Sequence, residues 1–452
     1  MTGSAAPVGR AVLFYHCLIV LANRLFFGEW YNAPMLNNFT RSFQELPLKF
    51  RILVVTVMVD RLGGTILYPF FTLYVTQRFQ VGMTQAGILI GLFAVTGLVG
   101  SMVGGALTDR IGRRSIILSG LLFSALGSVV MGLLDSLSAF YALAAVVGFL
   151  GSVSSPAHQA MVADLLPDEQ RSEGFGILRV AANLAWVVGP SIGGFLATRS
   201  YLLLFIADAA ASAVTAFIFY RLIGETRPTL SAQHEAGGES LLQTVAGYGI
   251  VARDRLFIGY LVVSMLMLLV YQQMYNTLAV YLRDVHGVPD RGYGLLLSLD
   301  ALTVVLLQFW VTRRIKGQPA MLMMALAACL YLVGFTMYGF VSSYALFVAA
   351  ILFITFGEMI AMPVGAMLAA RFAPEALRGR YMAFHDLTYA IPSMVGAAAA
   401  GVIMDNYDPN WVWYAAGIVS TLAVIGFLWL HGLTQRRFVF VEDQADPTEA
   451  AA

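Results

Sequence analysis

The chain has 452 residues, of which 59% are apolar and only 12% charged, with a formal net charge of +1. So little charge at this length argues against a water-soluble globule and makes the bilayer the solvent for most of the chain. The near-neutral balance weighs against a nucleic-acid partner, and two cysteines, Cys17 and Cys329, weigh against a disulfide framework or a cysteine metal site.

The first 48 residues contain an apolar stretch, Ala11–Gly28, interrupted by His16 and Arg24 and followed by no convincing small-residue cleavage site. It reads as an interfacial or poorly ordered extension rather than a thirteenth span. Twelve apolar segments of about 20 residues or more, the length needed to cross a bilayer, follow. They are Ile52–Thr76, Ala86–Leu107, Ser115–Leu134, Ala139–Val162, Phe175–Ala197 and Leu202–Ile223, then Leu256–Leu282, Tyr293–Thr312, Met321–Phe340, Tyr344–Leu368, Tyr381–Met404 and Trp411–Leu430. The polar interval from Gly224 to about Arg255 divides them six and six and marks a domain boundary. If residues before Ile52 are cytoplasmic, the inner loops and flanks carry 18 Lys and Arg against four in the outer loops. That asymmetry places both ends of the bundle in the cytoplasm. The two halves also repeat: Pro156, Pro167 and Arg171 recur 207 residues later as Pro363, Pro374 and Arg378. Beyond Pro447 the chain reads as a disordered tail.

The densest motif fills the short gap between the second and third spans: Gly105-Ala-Leu-Thr-Asp109-Arg110-Ile-Gly112-Arg113-Arg114. Its glycines permit a tight turn and its arginines suit a cytoplasmic membrane surface. It resembles the loop between helices 2 and 3 of the major facilitator superfamily of transporters, whose pattern runs roughly G-x-L-x-D-R-x-G-R-R, and every specified position is present. The resemblance implies an all-α integral membrane protein with twelve transmembrane helices in two pseudo-symmetric six-helix bundles, and a substrate site between them. The bundles are placed at 49–223 and 256–433, around a cytoplasmic loop at 224–255 and ahead of a tail at 434–452. The resemblance also implies a gating role for this loop, with Asp109 meeting a neighbouring helix N-terminus where the dipole favours an anion. A solvated loop that only sets topology is the plainer reading.

The fifth span carries Gly176-x8-Ala185-x3-Gly189-Pro190-x2-Gly193-Gly194. This resembles the helix-5 signature of the proton-driven antiporters of the superfamily, departing from it at Ala185, where glycine is usual. Small residues let helices approach closely and Pro190 bends the span, although generic close packing would use the same residues.

Charged groups at bilayer depth are costly and normally face the bundle interior. Five acids lie within spans, Asp60, Asp208, Asp300, Glu358 and Asp386, together with Arg61 and Arg179. Glu358, midway along the tenth span, is the first candidate for proton coupling, with a structural hydrogen bond as the plainer reading. The multidrug antiporter branch is similar in placing an acid in its helix 10. Asp60 and Asp386 are the next candidates; Asp300 and Asp208 rank below them, since helix packing would also account for either. Arg179 and Asp386 occupy equivalent places in the two repeats and pair or jointly face the cavity, or make independent polar contacts. On the seventh span Tyr271 and Tyr275 share one face and Gln272 and Asn276 an adjacent one. With Arg179 they are the candidate cavity residues, and aromatic and amide groups suit amphipathic or cationic molecules. His158 reads as a satisfied core histidine.

No phosphate-binding loop or His-Glu-x-x-His pattern is present, so neither ATP drive nor enzymatic chemistry is expected. The expectation is a monomeric, multi-pass plasma or inner membrane exporter of amphipathic or cationic compounds. A proton gradient is its energy source, with no cofactor and no metal. A proton symporter importing a sugar, peptide or other metabolite shares the fold, and a membrane sensor or lipid scramblase on the same scaffold is a further alternative.

Overall fold

The computed structural model describes residues 46–226, 249–374 and 377–445, excluding the side chains of residues 106, 109, 168, 169, 172, 379 and 435–445. The expected N-terminal extension up to residue 45, most of the central loop, the last seven residues and the side chain of Asp109 therefore lie outside the described residues. The chain divides into two compact units, Met1–Arg51 and Ile52–Ala452. Apart from the start of the first helix, everything below concerns the second.

The described residues form helices and loops, with no strand among them. In chain order the first half comprises α1 (Leu48–Leu67), α2 (Phe71–Phe79), α3 (Met83–Ile111), α4 (Arg113–Leu133), α5 (Leu137–Val153), α6 (Ser155–Leu165), α7 (Asp168–Ala197) and α8 (Leu202–Leu222). The second comprises α9 (Arg255–Tyr271), α10 (Gln273–Asn276), α11 (Leu278–His286), α12 (Asp290–Ile315), α13 (Ala320–Met337), α14 (Tyr344–Phe372), α15 (Arg378–Asn406) and α16 (Trp411–Ala445). Among the described residues eleven helices are long and apolar enough to cross a membrane. The remaining expected crossing, Ile52–Thr76, is built in two pieces. Pro69 removes a backbone donor, and a 3-10 turn at Tyr68–Phe70 separates α1 from α2.

Two other spans are broken. Pro156 opens α6 one turn after α5 ends, as expected of a residue that cannot complete the ladder of a continuing helix. The seventh span breaks around Gln272, where side chains take over the backbone's partners. Gln273 Nε2 donates to the Leu269 carbonyl at 2.9 Å, and Thr277 Oγ1 donates to Gln273 Oε1 at 2.6 Å.

Between α3 and α4 a single residue, Gly112, serves as the end of one helix and the start of the next. Its φ of +108° lies in a region that only glycine occupies readily. The end of the bundle holding this turn, with Arg110, Arg113 and Arg114 and the Arg313–Arg314 end of α12, is its basic face; the opposite end is the far face.

The halves meet near the far face along two helix pairs. Added Cβ atoms at Gly91 and Gly401 would lie 2.5 Å from Met394 O and Thr84 N, bringing α3 and α15 into backbone contact. Similarly, Gly294 of α12 closes on Pro190 of α7, with the Pro190 carbonyl carbon 3.2 Å from a Cβ built there. Toward the basic face α3 turns instead to its own half, packing Gly100 and Gly104 against Phe149 and Val153 of α5.

A candidate site in the cavity between the two halves

Tyr68 from the 3-10 turn, Asn183 and Trp186 from α7, Tyr271, Gln272 and Tyr275 from the broken seventh span, Asp300, Ala301 and Val304 from α12, and Glu358 from α14 enclose a cavity of about 280 Å³. The break at Gln272 turns that segment's side chains inward. Gln272 Nε2 donates to Ser393 Oγ of α15 at 2.6 Å. The Tyr271 and Tyr275 hydroxyls are 3.0 Å apart, and their rings meet edge to face with centroids 5.6 Å apart. Tyr275 packs against Trp186 across the halves at 5.1 Å, and Tyr271 stacks on Tyr331 at 5.7 Å. The result is an aromatic wall around two carboxylates.

Those two carboxylates differ. Asp300 is buried and its Oδ1 accepts from Thr355 Oγ1 at 2.6 Å. Glu358 has an Oε2 that is buried with no hydrogen-bond partner among the described residues. A partnerless buried oxygen is costly unless a proton, a cation or water satisfies it. Asp300 ranked low among the expected coupling groups, and Asn183, Trp186 and Tyr68 were not singled out at all. Asp300 carried a sequence signal as an intramembrane acid, whereas Asn183 and Trp186 sit unmarked between the glycines of α7.

The other candidates lie elsewhere. Asp60 does not line the cavity. Its Oδ1 accepts from Ser212 Oγ at 3.1 Å, and nearby Asp208 accepts from Ser128, so both acids belong to a hydroxyl-rich seam among α1, α4 and α8. Asn276 is buried behind the cavity, its Oδ1 accepting from Tyr68 at 3.3 Å. Arg179 and Asp386 are exposed, and no ion pair joins them among the described residues. His158 bonds the Ser154 carbonyl through Nδ1 at 3.1 Å.

At the basic face the Glu225 carboxylate caps the N-terminus of α4, while the Asp109 side chain lies outside the described residues. Glu225 accepts from the backbone N–H groups of Arg113 and Arg114 at 2.9 and 3.2 Å, satisfying donors that α4 leaves free in its first turn. Arg113 is buried and pairs with Asp164 of α6 at 3.0 Å, and Arg114 donates to the Tyr220 carbonyl at 2.7 Å. Of the motif glycines, Gly112 touches Glu225, whereas Gly105 has nothing within 4 Å of a Cβ placed on it. On α7, Gly189 and Gly193 press against Thr65 and Phe70, and Gly194 against Asp290 and Arg291 of α12; Gly176 also faces open space. Because breaking a buried ion pair strands its partner, Asp164→Asn should cost on the order of 3 kcal/mol. A thermal unfolding scan in detergent checks this: a clear drop in midpoint is expected, restored by Asp164→Glu, and an unchanged midpoint would contradict it.

The arrangement is that of a helical membrane transporter: two six-span halves packed at one face around a central polar cavity. The family model of the Major Facilitator Superfamily matches residues 53–397, and the chain belongs to that superfamily. It is 26% identical over 403 residues, covering 82% of this chain and 93% of the relative, to a protein of Planococcus maritimus named Na(+), Li(+), K(+)/H(+) antiporter. It is 24% identical over 397 residues to multidrug resistance protein MdtH of Escherichia coli, covering 86% and 96% of the two chains. Among solved structures it resembles the nucleoside transporter NupG, with a TM-score of 0.70, 12% identity and coverage of 85% and 99%. It also resembles a POT family transporter in complex with 5-aminolevulinic acid, with a TM-score of 0.71, 16% identity and coverage of 88% and 99%. At those identities the structural likeness speaks for the fold alone.

Proposed function

We propose that this protein is a proton-coupled exporter of amphipathic organic cations. The reading rests on one observation: the partnerless buried oxygen of Glu358 opens on a cavity walled by Trp186, Tyr271 and Tyr275. Aromatic faces attract a cation, more strongly when water is excluded, and a carboxylate in the same space gives proton and cation a shared binding group. Competition between them makes exchange obligatory: cargo binding expels a proton, and a proton arriving from the other side expels cargo. In this reading the basic face is cytoplasmic, the cell membrane is the site of action, and one chain holds a complete cavity and acts as a monomer. The names of the antiporter and multidrug relatives support this class without fixing the cargo.

Calorimetric titration of the purified protein with tetraphenylphosphonium tests it. Binding should tighten as pH rises and release protons to the buffer. Trp186→Ala should weaken it about fivefold to thirtyfold, from the loss of one desolvated cation–π contact of about 1–2 kcal/mol. Binding with no proton release, or unaffected by the substitution, would count against the reading.

One observation favours a second reading. Asp300 and Glu358 place two carboxylates in one cavity, a donor set suited to a small alkali cation, and a relative carries an alkali-cation antiporter name. In that case sodium, lithium or potassium would displace the proton in the same titration and tetraphenylphosphonium would not.

A further inference from the structure

Helix α3 begins at Met83, and the residue capping it, Gly82, has no side chain to offer its free N–H groups. They are nonetheless satisfied, from the other half of the molecule. Asp405, in the last turn of α15, accepts from Met83 N–H through Oδ1 and from Thr84 N–H through Oδ2, each at 2.8 Å. Two charge-assisted bonds to a helix start, where the dipole is positive, form a strong contact for so small a group. Glycine at 82 is part of the device, because a Cβ there would lie 2.6 Å from the Asp405 carboxyl carbon. Gly401, one turn earlier on α15, lets the backbones approach closely enough for the carboxylate to reach.

We propose that Asp405 is a gating residue that latches the far face shut by capping α3 across the interface. A contact biases an equilibrium only if it differs between the two states. This one joins the halves at the far face, so it exists when that face is closed and is lost when the halves part there. A second contact joins the halves at the far face. Arg283 of α11, ion-paired with Asp284 at 2.6 Å, donates to the Leu73 carbonyl at 3.3 Å and to Thr76 Oγ1 at 3.1 Å in the first span. Tyr201 adds a neutral bridge by donating to Asp290 Oδ2 at 2.8 Å. Burial, and then the Asp290 carboxylate, raise the pKa of the Tyr201 phenol, so it remains a donor. Of the three, only Asp405 meets backbone groups that have no other acceptor within their own helix.

The latch rests on alternating access and not on the identity of cargo or coupling ion, so its test needs neither. In full-length protein with Cys17 and Cys329 replaced by serine, spin labels at Gln77 and Asn406 report the far face, and labels at Ile111 and Gly317 the basic face. Asp405→Asn keeps the shape but loses the charge. It should raise the ratio of far-open to far-closed molecules about five- to thirtyfold, lengthening the 77–406 distances and shortening the 111–317 distances. Asp405→Glu should restore most of the parent distribution. Gly82→Ala, which displaces the carboxylate while leaving it charged, should reproduce the opening. Unchanged distributions in both Asp405→Asn and Gly82→Ala would overturn the proposal, as would opening at the far face without closing at the basic one, which would indicate loosening and not gating.

Discussion

Glu358→Gln should reduce proton-driven transport in proteoliposomes to the protein-free background while leaving expression and thermal midpoint near those of the parent. Glutamine fills the same volume and keeps a polar end in the cavity, so packing around Tyr271 and Tyr275 has no reason to change. It cannot take up or release a proton. Downhill exchange of cargo, which needs the cavity and the rocking of the halves but no titrating group, should survive. Asp300→Asn should give a weaker defect, because Asp300 already has Thr355 as a hydrogen-bond partner whereas Oε2 of Glu358 has none. Equal loss in both variants would mean that the two carboxylates titrate as one unit. Retention of proton-driven transport in Glu358→Gln would remove Glu358 from the coupling path.

The second large effect concerns glycines that touch nothing. Gly105 lies 18 residues, five full turns, along α3 from Gly87, and so on the same face. Gly87 packs against α15, with a Cβ there 2.5 Å from Ala398 N, while Gly105 meets nothing within 4 Å among the described residues. On α7 the same spacing relates Gly194, which meets α12, to Gly176, which is free. Both stripes are thus closed at the far face and open at the basic one. The prediction is that the basic face closes on these bare glycines in the other half of a transport cycle. Gly105→Leu and Gly176→Leu should therefore leave the thermal midpoint of the protein as it stands unchanged yet slow transport about five- to 150-fold. That is the bias expected if overpacking costs the opposite state about 1–3 kcal/mol. Gly193→Leu supplies the contrast. A Cβ there lies 2.6 Å from the Phe70 ring, so this variant should lower the midpoint itself. Full transport in Gly105→Leu and Gly176→Leu would mean that these positions stay open throughout the cycle.

Charge in apolar surroundings was the most legible signal in the sequence. It marked Glu358 because an acid midway along a span is costly without a partner or a function, and most span limits fell within a few residues of the helices because the apolar runs are long. Position relative to the cavity was less legible. Asp60 and Asp300 look alike in sequence, yet one is occupied by the seam of serines on α4 and α8 and the other opens on the cavity. No periodicity separates these, since the partner hydroxyls come from other helices. The break at Gln272 was invisible for a related reason: side-chain capture of a helix carbonyl leaves the apolar pattern intact. The motif between the second and third spans pointed to a carboxylate at a helix N-terminus. Glu225 and Asp405 make such contacts, and both are distant in sequence from the helices they cap. A pairing of that kind depends on the tertiary fold.

The most direct test of proton-coupled cation export is proton movement in proteoliposomes of the unmodified protein. No membrane potential is imposed, and tetraphenylphosphonium, sodium, a sugar and a dipeptide are added in turn. Proton efflux triggered by tetraphenylphosphonium alone, and absent from protein-free vesicles, is the expected result. Proton flux with the sugar or dipeptide in the direction of the added solute, and none with the cation, would contradict the account and make the protein a symporter.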